Sequence, residues 1–122
     1  VELENVTVLQ REPGSGTRKA SDDFLQERRV HLQRPMQLGS SESLIQGAVA
    51  GLGVAMVSAH AASPFLLNGQ LVQLGFAELP LYRSWCAVHA RGKRLSPVAL
   101  AFLEFLRSER AQIRQLAERF SA

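Results

Sequence analysis

An α/β fold, with an open sheet of about five strands and helices on both faces, is what this sequence predicts. Three observations carry that expectation. Short apolar, β-branched runs alternate with segments whose apolar residues recur at helical spacing. The passage "GSSESLIQGAVAGLGVAMVS" has a strand candidate on its amino side, a helix within it and a strand at its end. That strand, Val54-Ala55-Met56-Val57, is apolar on both faces, as a buried parallel strand is.

Taken in order, Val6-Thr7-Val8-Leu9 is a β-branched apolar run and predicts the first strand. From Thr17 to about Arg29 the pattern is helical, with Ala20, Phe24 and Leu25 on one side and Asp22, Asp23, Glu27 and Arg28 around the rest. Pro35 to Leu38 is a second short strand. Leu44, Ile45, Ala48, Val49 and Leu52 then predict a helix, capped by Ser40 or Ser41 and stopped at Gly53 in a left-handed conformation. Strand, helix and strand within about 25 residues form a βαβ unit on a parallel, Rossmann-like sheet.

Ala59 to Leu67 predicts a third helix, disturbed at Pro64 and closed by Asn68-Gly69. Leu71 to Leu74 and Ser84 to His89 are the remaining strand candidates, the latter after a turn around Pro80. Ser96-Pro97 starts another helix, a cap followed by proline at the first helical position. That helix is apolar nearly all round, with only Glu104 and Arg107 as polar breaks before Ser108, and so calls for cover on two sides. The tail from Glu109 to Phe120 repeats a stripe at Ile113, Leu116, Ala117 and Phe120.

The chain of 122 residues suffices for one domain and is too short for two ordinary ones. Its 46% hydrophobic and 20% charged residues are those of a soluble globular protein. No stretch approaches the roughly 18 consecutive apolar residues that span a bilayer. The amino end lacks a signal-peptide pattern and a starting methionine, which leads us to expect a piece of something longer. A single cysteine, Cys86, excludes an internal disulfide and fits a reducing cytoplasm. The net charge of +3 is spread among carboxylates, and the densest basic cluster, Arg91 to Arg94, is short. A longer stripe or interleaved aromatics would be needed for a nucleic-acid surface.

Catalytic motifs fail on inspection. Gly14-Ser15-Gly16-Thr17 lacks the last glycine of a dinucleotide fingerprint, and Arg18 stands where a phosphate loop needs glycine. There is no Gly-x-Ser-x-Gly elbow. His31, His60 and His89 have no cysteine or carboxylate at metal-ligand spacing, so neither a catalytic residue, a metal nor a cofactor is expected. Binding is better supported. Ser15-Gly16-Thr17 and Ser40-Ser41-Glu42-Ser43 each open a helix after a strand, which places both at the carboxyl edge of the sheet. A helix amino end offers roughly 0.3–2 kcal/mol toward an anion. Each hydroxyl bonding a charged group adds about 1.5–3 kcal/mol. The plainer alternative is that both serine clusters only cap their helices, and Glu42 counts against an anion unless it turns away.

At this point "LQREPGSGTRKA", "LGSSESLIQGAVAGLGVAMVS" and "SPVALAFLEFL" resemble, in order and spacing, the effector-binding domain of LysR-type transcriptional regulators, over Val6 to Arg107. The resemblance implies a bacterial regulator with an amino-terminal winged helix-turn-helix, a linker helix and two α/β lobes like those of type 2 periplasmic binding proteins. An inducer sits between the lobes, and the regulator works as a tetramer. In that scheme residues 1–83 resemble the second lobe, and residues 84–122 resemble the return strand and helices that complete the first. DNA contact belongs to a domain with no counterpart in this sequence. Carried over by motif, the effector-facing residues are Gly14, Ser15, Gly16, Thr17, Ser40 and Ser41, with Ser58 to His60 on another rim. The "REPGSGTR" form is similar to members controlling carbon fixation or inorganic sulphur and nitrogen use.

The expectation is therefore a non-enzymatic, cytoplasmic sensor of a small anionic effector, with self-association and no membrane contact. Two alternatives are a solute-binding or molybdate-sensing domain of the same fold, and an oligomerisation module built on the helix at 97–107.

Overall fold

The computed structural model describes residues 3–76 and 78–118 and divides into two compact units, Val1–Phe76 and Ala77–Ala122. In the first, β1 (Thr7–Arg11), α1 (Gly16–Glu27), β2 (Arg34–Leu38), α2 (Ser41–Val49), β3 (Val54–Ala55) and α3 (Ala59–Leu67) follow one another. The sheet is parallel, in the order β2-β1-β3. Arg11 lies opposite Leu38, and Leu9 lies opposite both Met36 and Ala55.

Side chains alternate along β1, and this sets the layers. Gln10 points toward α1, where its amide donates to Asp22 at 3.3 Å. Helix α1 buries Ser21, Phe24 and Leu25 on one face, spaced three and four apart. Leu9 points the other way, toward α2, which buries Leu44, Ile45 and Gly47. A Cβ on Gly47 would stand 3.0 Å from Leu9 Cδ1 and 3.4 Å from Leu38 Cδ1, so the missing side chain lets helix and sheet close. Helices thus cover both faces of the central strand, and Leu9, Leu44 and Ile45 form the most deeply buried part of the core.

Helix ends follow from local chemistry. Helix α2 ends at Val49, four residues before Gly53: Gly51 takes the left-handed conformation (φ +75°), with Gly51 N–H on Ala48 and Leu52 N–H on Gly47, a Schellman pair. Gly53 has a different reason to be glycine, because a Cβ there would run into the Thr7 carbonyl of β1. Helix α1 ends in the same paired bonds with Arg29 in the left-handed position (φ 54°). Pro64 sits inside α3 as expected and has no N–H to give the His60 carbonyl, which accepts from Ser63 Oγ at 2.9 Å.

The five-strand expectation is corrected. Among the described residues the sheet has three strands, and neither Leu71–Leu74 nor Ser84–His89 is one. A strand exists only with a ladder partner, and residues 84–89 lie open, with Trp85 97% exposed. The predicted strand at Val54–Val57 keeps only Val54 and Ala55, and it is half-buried at the sheet edge. The second unit holds α4 (Pro97–Ser108), capped by Ser96 through Ala99 N–H, and α5 (Arg110–Glu118). Val98, Phe102 and Phe105 of α4 are exposed. Ile113 and Leu116 of the tail stripe lie on α5, whereas Phe120 is outside the described residues.

Candidate functional site at the carboxyl edge of the sheet

Every strand in the first unit is followed by a helix, so α1, α2 and α3 all begin at the carboxyl edge of one parallel sheet. The connections leaving β1 and β2 go to opposite faces, as the Gln10–Asp22 and Leu9–Gly47 contacts show. The strand order β2-β1-β3 reverses at β1, and open α/β sheets hold ligands at the carboxyl ends beside such a reversal.

Of the predicted residues, Ser15 and Ser40 are caps. Ser15 Oγ accepts from the N–H groups of Thr17 (3.2 Å) and Arg18 (3.5 Å). Ser40 Oγ accepts from Ser43 N–H at 2.9 Å and shares a hydroxyl hydrogen bond with Ser43 Oγ at 2.7 Å. For these two the plainer alternative describes the geometry, since their acceptor oxygens serve their own helices. Gly14 makes the turn before α1 with φ +93°, and Gly16 is the first residue of α1. The Thr17 hydroxyl makes no hydrogen bond among the described residues. Ser58 precedes α3 without a side-chain cap, and His60 stands exposed in its first turn.

Ser41 behaves differently. Its Oγ accepts from Arg11 Nη1 at 2.9 Å, a bond that crosses from the end of β1 to the start of α2. Arg11 shares a face with Leu9 and therefore points to the α2 side. Its remaining nitrogens hold Glu12: Nε on Oε2 and Nη2 on Oε1, both at 2.8 Å. These bonds hold the Glu12 carboxyl at about 2, well below the ordinary range, and raise the already high Arg11 value. The N–H groups of Ser41 and Glu42 remain without a hydrogen bond among the described residues. Glu42 does turn away: its carboxylate lies along the exposed helix surface and accepts from Gln46 Nε2 at 3.1 Å.

Arg18 and Lys19 place two cations in the first turn of α1, against the helix dipole. Each is answered four residues on: Arg18 by Asp22 at 2.9 Å and Lys19 by Asp23 at 3.0 Å. Arg18 Nη1 also donates to the Arg11 carbonyl at 3.0 Å, tying α1 to the strand end. A wide hollow of about 570 Å³ lies elsewhere, between the flank of α1 and β2, with Leu25, Arg29, His31 and Pro35 among its lining. None of the predicted site residues lines it. It arises where α1 leaves the face of an edge strand uncovered, and the polar groups Gln10, Arg18 and Asp22 on its wall are bonded to one another. Arg11 and Glu12 are the residues that sequence reasoning missed. The signal for them was position, a cation on the last residue of a strand that precedes a capped helix.

Among the described residues, no three His, Cys, Asp or Glu side chains gather to hold a metal, and no helix is long and apolar enough to cross a membrane. Comparison with known proteins matches residues 1–111 to the family model described as "LysR substrate binding domain". The chain is 41% identical over 104 residues to a RuBisCO operon transcriptional regulator of Acidithiobacillus ferrooxidans, covering 85% of this chain and 34% of that protein. It is also 41% identical over 111 residues to a RuBisCO operon transcriptional regulator of Allochromatium vinosum, covering 91% and 37%. Among solved structures it resembles the Synechocystis CcmR regulatory domain in complex with 2-PG, with a TM-score of 0.69 and 28% identity over 87% of this chain and 51% of that one. The apo regulatory domain of Salmonella typhimurium HypT shares the fold, with a TM-score of 0.69 at 24% identity over 92% and 55% of the two chains. The chain thus spans about a third of the curated relatives it matches.

Proposed function

Because the chain belongs to the LysR substrate-binding domain family, we propose that it is the effector-sensing part of a LysR-type transcriptional regulator, in the cytoplasm. Its effector is a small anionic metabolite held at the carboxyl edge of the β2-β1-β3 sheet. The observation that carries this reading is the hydrogen bond between Arg11 and Ser41, which sets a guanidinium beside the open N–H groups of α2 at the parting of the connections. Thr17, with an unengaged hydroxyl, and Ser41 are the contacts from the two serine clusters. Gly14 and Gly16 permit close backbone approach, and Ser58 and His60 stand at the start of α3 as the far rim.

Residues 1–83 form the second lobe and residues 84–122 complete the first, so that the effector binds between lobes. Its binding favours one lobe arrangement, and that bias reaches DNA-binding domains carried elsewhere in the regulator. No bond is made or broken. The 2-PG held by the CcmR regulatory domain is the first effector to test. Calorimetric titration of 2-PG is expected to show binding that Thr17→Ala and Ser41→Ala each weaken while the circular dichroism spectrum stays unchanged. Equal affinity in both variants and the wild type would remove the site assignment.

A second reading has its own observation. Val98 and Phe102 of α4 are 80% and 60% exposed, a face that calls for cover. Self-association of the chain over this face accounts for it, and sedimentation at rising concentration is the measurement.

A further inference from the structure

We infer that Arg11 is the residue that receives the effector's acid group, and that it does so by exchange, the incoming anion displacing the carboxylate of Glu12. This inference rests on the reading of the sheet edge as the effector site. The first support is position. Arg11 is the last residue of the central strand, opposite the last residue of β2, and its guanidinium reaches the first turn of α2. Ser41 accepts from it there, which leaves the Ser41 hydroxyl proton free to donate to a bound oxygen.

The second support is the form of the pair. Two parallel bonds at 2.8 Å from Nε and Nη2 to the two Glu12 oxygens are the fork geometry by which arginine grips a carboxylate or a phosphate. Glu12 therefore occupies the positions that a ligand's acid group would take. Apart from a hydrogen bond to its own backbone, Arg11 is the group among the described residues that holds it. Its side chain is 39% exposed, and Pro13 and Gly14 follow it in an open turn. Such a carboxylate can swing into water as the incoming anion takes over its two bonds to Arg11.

A contrast at the same edge supplies the third support. Arg18 also grips a carboxylate with 2.9 Å bonds, but Asp22 accepts in addition from the buried Gln10, and Arg18 donates to the Arg11 carbonyl. That pair is tied to the core and to the strand, so it cannot exchange without disturbing both. One arginine at this edge is locked, and the other is held by a removable group. Exchange also turns ligand arrival into a local signal, since the Glu12 carboxylate is released into water.

The test uses the full chain, titrated with inorganic phosphate and with 2-PG, while the ¹⁵N resonance of Arg11 Nε is followed. Glu12→Gln removes the competing charge and is expected to tighten binding roughly tenfold, whereas Arg11→Lys, which loses the fork, is expected to weaken it tenfold or more. In the wild type the Nε resonance should move on saturation. If 2-PG binds but Glu12→Gln binds no tighter and Nε stays in place, the exchange is overturned while the site reading stands. If neither anion binds to wild type or to Glu12→Gln, both are overturned. Should Glu12→Gln fail to fold, the wild-type Nε and Glu12 carboxyl resonances decide, and an unmoved pair overturns the inference.

Discussion

Replacing Gly53 with alanine adds one methyl group at the place where the chain enters β3 against β1. The new Cβ would overlap the Thr7 carbonyl oxygen and lie 3.0 Å from the Thr7 carbonyl carbon and from Thr7 Cβ. Two of these three neighbours are backbone atoms of the central strand, so no rotamer change relieves the clash. Either β3 moves away or β1 bends. Forcing a methyl into a closed contact costs about 1–3 kcal/mol. Moving β3 also weakens a ladder of only two residue pairs, Val8 with Val54 and Leu9 with Ala55, at about 0.5–1.5 kcal/mol for each hydrogen bond lost. The expected loss is therefore about 2–4 kcal/mol, a large share of the 5–15 kcal/mol by which domains are usually stable. Urea unfolding followed by circular dichroism measures it. Gly51→Ala is the matched control, since its methyl meets nothing within 4 Å and only the left-handed backbone opposes it. That control should lose about 1 kcal/mol. A Gly53→Ala protein as stable as the Gly51→Ala one would refute the close-approach argument.

Other outcomes follow from the same geometry. Arg29→Gly should stabilise the first unit by about 0.5–1 kcal/mol in urea melts, because Arg29 holds the left-handed position at the end of α1 that glycine takes without strain. Ser15→Ala and Ser40→Ala should each destabilise by about 0.5–2 kcal/mol through the lost cap, whereas Thr17→Ala should leave the melting curve in place. By carboxyl ¹³C titration, Glu12 should ionise near 2, and in Arg11→Gln its midpoint should rise toward the ordinary carboxylate range. A depressed folded value means that the pair's stabilising effect is complete above the unfolded carboxyl's pKa, about 4.3, and is lost as pH falls through about 2. Phe102→Glu with Phe105→Glu should abolish concentration-dependent sedimentation if α4 is the face of self-association.

What the sequence could reveal depended on whether the deciding interaction was local. The caps at Ser15, Ser40 and Ser96, the interrupted α3 and its closure at Asn68 are all set within about five residues, and reading along the chain finds them. The two errors about glycine and strands are not of that kind. A periodic apolar pattern continuing to Leu52 pointed to Gly53 as the helix stop, but the paired bonds of Leu52 and Gly51 close the helix on Gly47 and Ala48 first. What makes Gly53 a glycine is a carbonyl 46 positions away in the sequence, which no local pattern contains. Likewise "SWCAVH" has the composition of a strand, yet composition supplies no ladder partner, and Val88 remains 89% exposed.

The edge of the sheet repeats the lesson with a functional consequence. Hydroxyl clusters are conspicuous in a sequence, and here two of the most conspicuous, Ser15 and Ser40, are absorbed by their own helices. The charge that faces the start of α2 belongs to Arg11, whose importance follows from strand alternation and from the crossing of connections 30 residues apart in the chain. Read locally, Arg11 beside Glu12 is an ordinary neutralised pair on a surface turn. Placed at the parting of β1 and β2, the same pair becomes a guanidinium fork already filled by a carboxylate. On the exchange we propose, the class of group that Glu12 presents to Arg11, an acid, is the class that the effector brings.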